Sequence, residues 1–301
     1  MFKKILFATS ASPACDNAAK VSFDLAKRNK AKLYTLHVLG VPSRGFSTTV
    51  TDLRTGEEET VDADYRDWVM EELSTTYSSQ LAEYEDTALE LAVGVPATEI
   101  LRFARKEGVD LIVMGANTRD DDPESARSRS IVGRTMEKVA RLAKCPVLIV
   151  NRPCTTCWNL FSNIVYCTDF SKAADTAFDF ASSTAEQIGA KLYIFHAFDM
   201  TRSKLGVFPS QSDIERQIEK AQTKIEDRYI SKMNGYENYE VEIWEGTPYV
   251  EILKFARDKQ ADLIIMAHHT AEVPAEDAEL GSTIEQVVVR SACPVASVSR
   301  V

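Results

Sequence analysis

Two adjacent histidines, His268 and His269, follow the apolar run Leu263-Ile264-Ile265-Met266. A short continuous apolar run suits a strand buried on both faces of a parallel sheet. Ligands of open α/β sheets bind at the carboxyl ends of strands, so a histidine there is placed to face a phosphate. A second pair, Cys154 and Cys157, has the spacing of half a zinc site and also of a redox dithiol. No second Cys-x-x-Cys occurs in the chain. Zinc would therefore need ligands from a second chain, and two free linker thiols are the simpler reading. Asp120, Asp121 and Asp122 form an acidic cluster able to hold Mg²⁺. His37 and His196 lie inside apolar runs and read as packed strand histidines. Cys145 and Cys293 precede prolines at strand entries and read as structural. Trp68, Trp158 and Trp244 share no spacing that suggests a base-stacking platform. Nowhere do a nucleophile, a base and an orienter stand together, so an enzyme is the less favoured class.

The elements that carry these residues occur twice. Lys4-Ile5-Leu6-Phe7-Ala8-Thr9 is answered by Asn163-Ile164-Val165-Tyr166-Cys167-Thr168, and Ala31-Lys32-Leu33-Tyr34 with His37 by Ala190-Lys191-Leu192-Tyr193 with His196, at one constant offset. Gly94-Val95-Pro96 and Asp110 to Met114 return as Gly246-Thr247-Pro248 and Asp262 to Met266, at a shorter offset. Cys145-Pro146-Val147 returns as Cys293-Pro294-Val295, shorter again. A repeat of this size means two homologous domains in tandem, 1–152 and 160–301, joined by a linker from Asn151 to Asn159. The two changes of offset place two insertions in the first copy, near 43–64 and 119–130. Val50-Thr51 and Thr60-Val61 around Thr55-Gly56 predict a small hairpin in the first insertion. The second is charged and reads as an exposed loop.

Each copy alternates strand and helix. In the first, Ile5 to Ala8 predicts a strand, and Ser12-Pro13 opens a helix burying Ala18, Val21 and Leu25. Leu33 to Val38 is the second strand. Pro96 begins a helix burying Ile100, Leu101 and Ala104, Gly108 stops it, and Leu111 to Met114 follows as strand. A last helix, with Met136, Val139, Ala140 and Ala143 inward, leads to Val147-Leu148-Ile149-Val150. The second copy repeats this with Ala177, Phe180 and Ala181, then Ile252, Leu253 and Ala256, then Ile284, Val287 and Val288. Such alternation predicts two open parallel-sheet α/β domains with helices on both faces.

Bulk properties exclude several classes. The 301 residues are 45% apolar and 27% charged, as in globular proteins. A net charge of -10 argues against nonspecific nucleic-acid binding, which needs cationic surface. Six cysteines are too few for a disulfide framework in a chain this long. The apolar run after Lys3-Lys4 is too short for a signal peptide, and no stretch suits a membrane span, so a cytoplasmic location is expected.

The repeated frame resembles the universal stress protein family. The resemblance rests on the Ile-Leu-Phe-Ala-Thr opening at residues 5 to 9, Leu36-His37-Val38, Asp110 to Gly115 and Cys145 to Val150, and covers nearly the whole chain outside the insertions and linker. It implies five-stranded open α/β domains. In one branch of the family it also implies an ATP site, made by an acid after the first strand and a Gly-x-x-Gly, fixed gap, Gly-Ser/Thr signature after the fourth. Glycines let backbone approach phosphates, and a helix N-terminus supplies free N–H groups.

Carried onto this chain, the resemblance puts the adenosine-contacting acid of the second copy at Asp169 and its phosphate cradle at Gly281, Ser282 and Thr283, with Ala197 and His268 alongside. Ala267 and Thr270 stand where the pattern has glycines, and the gap from Thr270 to Gly281 is one residue longer than the pattern. The first copy keeps Gly115, has Thr118 for the second glycine, Ser10 for the acid, and Gly133-Arg134-Thr135 for Gly-Ser/Thr. Its aspartates would repel a phosphate, and Arg127, Arg129 and Arg134 offset this in part. The resemblance also makes Val147 to Val150 and Val295 to Val298 a pairing edge, which implies an internal pseudo-dimer, with a homodimer of chains as a further option. The function so implied is a stress-response regulator that takes ATP or AMP, with Mg²⁺, as a conformational ligand, mainly in the second copy, and acts on an unidentified protein partner. The alternatives are a nucleotide-free interaction scaffold and a slow ATP hydrolase.

Overall fold

The computed structural model describes residues 2–40, 49–51, 58–116, 133–151, 161–200, 209–233, 235–268 and 281–298. The chain falls into two compact units, Met1–Asn151 and Arg152–Val301.

In the first unit, β1 (Lys4–Thr9), β2 (Lys32–Gly40), the short β3 (Thr49–Thr51) and β4 (Glu58–Thr60), β5 (Thr87–Gly94), β6 (Leu111–Gly115) and β7 (Val147–Val150) alternate with α1 (Asp16–Asn29), α2 (Ala63–Thr76), α3 (Ser78–Glu83), α4 (Pro96–Glu107) and α5 (Arg134–Leu142). The order β7-β6-β1-β2-β5 is parallel throughout, with Ile5 opposite both Leu33 and Leu111. The expected hairpin forms as the antiparallel pair β3 and β4, Thr49 opposite Thr60.

The second unit repeats the plan. Strands β8 (Asn163–Cys167), β9 (Lys191–Phe198), β10 (Tyr239–Glu245), β11 (Leu263–Ala267) and β12 (Val295–Val298) alternate with α6 (Lys172–Ile188), α7 (Gln211–Arg228), α8 (Pro248–Asp258) and α9 (Ser282–Arg290). Their order is β12-β11-β8-β9-β10, again all parallel. In both units the strand order reverses beside the first strand, and the crevice at the carboxyl ends there is the usual ligand position.

The core of each unit lies between sheet and helices. Ile5, Leu6 and Phe7 in β1, and Ile164, Val165 and Tyr166 in β8, are fully buried. The inward faces of α1, α4, α5 and α9 are those the periodicity predicts. Two helices differ in one residue each. Phe178 rather than Phe180 is buried on α6, and Phe255 rather than Leu253 on α8, where it stacks on Phe195 at 4.4 Å between ring centroids. Both aromatic rings lie beside the predicted stripe and reach further into the core than the residues chosen. Gly108 ends α4 at φ 62, as a stop glycine should.

One buried hydroxyl is out of place. Among the described residues, Thr35 Oγ1 on β2 finds no hydrogen-bond partner, and the residue is fully buried. The matching residue of the second copy is Ile194, equally buried. A lone buried hydroxyl carries a desolvation penalty of about 1–3 kcal/mol, so Thr35→Val, of nearly the same shape, is expected to stabilise the first unit by about 1 kcal/mol. Urea unfolding of the intact chain checks this as a higher midpoint.

Candidate functional site

The strongest local pattern at the carboxyl ends is a duplicated frame behind the loop that follows the first strand. In the second copy, Thr168 Oγ1 lies 2.7 Å from the hydroxyl of Tyr229 and accepts the amide of Phe170 at 3.0 Å. In the first, Thr9 Oγ1 lies 2.6 Å from the hydroxyl of Tyr77 and accepts the amide of Ala11 at 2.9 Å. The residue held this way is left-handed in both, Phe170 at φ 62 and Ala11 at φ 57. A side-chain-bearing residue in that region costs roughly 1–2 kcal/mol, so the frame holds the loop in a shape it would not take alone.

A histidine closes each frame. His196 Nδ1 meets the Thr168 carbonyl at 2.8 Å, and His37 Nδ1 meets the Thr9 carbonyl at 3.0 Å. A carbonyl only accepts, so Nδ1 carries the proton and the neutral ring leaves Nε2 as acceptor. The expectation of packed strand histidines thus needs refinement. They sit half-buried at the site end of the sheet and tie the second strand to the loop after the first. Burial lowers both histidine pKa values below the ordinary 6.5, with the backbone bonds opposing; Asp169 also opposes at His196 and Lys224 adds to the lowering. The unfolded chain therefore takes up protons first as pH falls. The two histidines contribute full stability above pH 6.5, and that contribution is expected to decline on acidification below it, by at most about 1.4 kcal/mol per pH unit for each. Urea unfolding between neutral and mildly acidic pH checks this, with the slope reduced in His196→Gln.

The loop of the second copy presents the predicted acid. Asp169 is exposed just after β8, and its Oδ1 accepts the Ser171 amide at 2.9 Å, an Asx turn made through one carboxylate oxygen. Ser171 then caps α6 by accepting from Ala174 N at 3.1 Å. Ala197 is half-buried near the end of β9, opposite Trp244. On the other side of β8, Ala267 ends β11 half-buried.

Across the reversal of strand order, Gly281 is the residue before α9, with φ 94 and ψ 133. Only glycine reaches that conformation without strain. Ser282 is exposed and Thr283 half-buried in the first turn of α9, where amides lack helical acceptors. The first copy differs at each point. Gly133 precedes α5 at φ -62, which any residue adopts, and Arg134 and Thr135 follow. Gly115 serves the protein itself, since a Cβ there would come within 3.0 Å of the Ala14 carbonyl oxygen. Ser10, in the place of the acid, lies 2.9 Å from Ser12 Oγ and 3.3 Å from Cys15 Sγ.

Of the histidine pair after β11, His268 is fully buried, with Nδ1 3.3 Å from Ser297 Oγ and its amide donating to Val298 O. Cys145 and Cys293 fit the structural reading. Burial pushes the Cys145 thiol up to about 11, and Ser291 Oγ bridges the amide and carbonyl of Cys293. Thr118, Asp120 to Asp122, Arg127, Arg129, Cys154, Cys157, Trp158, His269 and Thr270 lie outside the described residues. Among the described residues, no group of three or more acidic, histidine or cysteine side chains could hold a metal ion, and no helix is long and apolar enough to cross a membrane.

No local motif singles out Tyr77, Tyr229 or Arg228. The two tyrosines do share the offset of the second block of the repeat, which is the signal that could have found them.

Two open parallel-sheet α/β units, each reversing its strand order beside its first strand, define the architecture. The model of the universal stress protein family matches residues 1–151 and again 160–299. The chain belongs to the universal stress protein family, in its tandem form. A universal stress protein of Methanocaldococcus jannaschii is 30% identical over 159 residues, covering 51% of this chain and 84% of the relative. One of Bacillus subtilis is 31% identical over 158 residues, covering 50% of this chain and 99% of the relative. A crystal structure of a universal stress protein from Archaeoglobus fulgidus is similar over 99% of this chain and 96% of its own, with a TM-score of 0.64 and 22% identity, which speaks to the fold.

Proposed function

We propose that the second copy binds an adenine nucleotide, ATP or AMP, as the conformational ligand of a cytoplasmic stress-response regulator. The observation that carries this reading is a pair of features in one unit: the exposed carboxylate of Asp169 after β8, and the constrained Gly281 that opens α9 ahead of Ser282 and Thr283. A carboxylate accepts strongly from ribose hydroxyls or the base. Free amides and hydroxyls at a helix N-terminus donate to phosphate oxygens, aided by the helix dipole. The first copy has neither the acid nor the constrained glycine, and its role is taken to be packing. The nucleotide regulates only so far as it binds one state of the protein better than another.

Native mass spectrometry of protein purified from cells, with calorimetric titration of ATP and AMP, tests the reading. A bound adenine nucleotide and a saturable heat are expected. Neither one would leave a ligand-free interaction scaffold. Phosphate release that survives stringent purification and disappears in the Asp169→Ala, Ser282→Ala protein would point to a slow hydrolase.

A further inference from the structure

We infer that Arg228 is a positioning residue for this nucleotide site, an assignment that rests on the reading above. Arg228 ends α7, far in sequence from Asp169. Its Nη1 donates to the Phe170 carbonyl at 2.5 Å, and its Nη2 to the Ser171 carbonyl at 3.4 Å. Nη2 also meets both carboxylate oxygens of Asp175, in the first turn of α6, at 2.7 Å. One guanidinium therefore staples α7, the loop after β8 and the start of α6 together.

The loop so held contains Phe170 in the left-handed region, directly after Asp169. Residues in sparsely populated conformations persist when their surroundings over-determine them. The Thr168 hydroxyl fixes the amide of Phe170, and Arg228 fixes its carbonyl. The direction of the Asp169 carboxylate follows from the two peptides beside it. Asp175 neutralises the guanidinium, so Arg228 acts through the loop rather than as a bare cation. The partner-matched fork is particular to arginine, because a lysine ammonium is a point charge and cannot span three acceptors in a plane.

The first copy supplies the contrast. Where the second has Arg228, the first has the exposed Thr76, and its loop carries Ser10 and no acid to aim. The staple occurs in the copy that has the carboxylate.

The test compares Arg228→Met, Arg228→Lys and, as a control, Ala221→Gly, which weakens α7 at a buried position away from the loop. ATP affinity is read by calorimetry, and exchange of the Ser171 amide is followed by NMR without ligand. Arg228→Met is expected to weaken ATP binding at least about 10-fold and to speed Ser171 exchange about 10-fold; Arg228→Lys restores little of either, and Ala221→Gly changes affinity less than about 2-fold. Unchanged affinity in Arg228→Met, or an equal loss in Ala221→Gly, overturns the assignment alone. Lost affinity with unchanged exchange makes Arg228 a direct contact and also overturns it. A wild-type protein that takes no nucleotide overturns the nucleotide reading, and the assignment with it.

Discussion

Asp169→Ala combined with Ser282→Ala is expected to lower the ATP affinity of the chain at least about 100-fold, equivalent to about 2.7 kcal/mol, while leaving its unfolding midpoint nearly unchanged. Both side chains are exposed, so neither supports the core. Their loss in binding is large for a different reason. A charge-assisted hydrogen bond accepted by Asp169 contributes about 1.5–3 kcal/mol and a neutral one from Ser282 about 1 kcal/mol. Asp169→Asn separates the two tasks of the acid. An amide oxygen still accepts from the Ser171 amide and keeps the Asx turn. The asparagine variant should therefore lose affinity through charge alone, by about 10-fold, with the loop intact. Calorimetric titration of the two variants reads these differences. Equal affinity in the double variant and the wild type would mean that the ligand, if any, sits elsewhere.

Asp262→Ala is expected to destabilise the second unit by about 3 kcal/mol, the largest single-residue effect outside the apolar core. Asp262 lies at the amino-terminal end of the sheet, 4% exposed, and its Oδ2 accepts the amides of Ser162 and Asn163 at 2.9 and 3.0 Å. Removing it leaves two strand-entry amides without their acceptor just where β8 enters the core. Asp110 does the same for Lys3 and Lys4 at 2.7 and 2.9 Å, but from an exposed position. Water replaces an exposed acceptor, so Asp110→Ala should cost about 1 kcal/mol. Urea unfolding followed by tryptophan fluorescence compares them. Equal losses at the two positions would show that burial is not what makes Asp262 matter.

The strands that the sequence reveals are those buried on both faces. Ile5 to Ala8, Leu111 to Met114 and Leu263 to Met266 are continuous apolar runs with no other good reading. The outer strands β5 and β10 were not placed from their residues. They carry Glu90, Glu240 and Glu242 among apolar neighbours, and every residue in both is half-buried, so their pattern is that of a surface. Helices α2 and α7 announce themselves weakly for a related reason. Only Val69 and Leu73, and Ala221 and Ile225, are buried on them, too few to announce a face.

The site divides the same way. Asp169 and the Gly281-Ser282-Thr283 helix start are local features, set by the repeat and by helix-opening chemistry. The frame behind them is not local. Thr168 meets Tyr229 across 61 residues of chain, and Phe170 meets Arg228 across 58. No spacing rule joins such partners; only the fold brings α7 onto the loop. His268 shows the limit from the other side, since a place after a strand says nothing of burial, and the residue is fully enclosed.

Calorimetric titration of ATP into the intact chain, with native mass spectrometry of the same sample, tests the central claim most directly. One nucleotide per chain is expected, lost in the Asp169→Ala, Ser282→Ala protein and retained when Gly133 of the first copy is replaced by alanine. No saturable heat and no added mass, or a nucleotide that survives the double substitution, would contradict it.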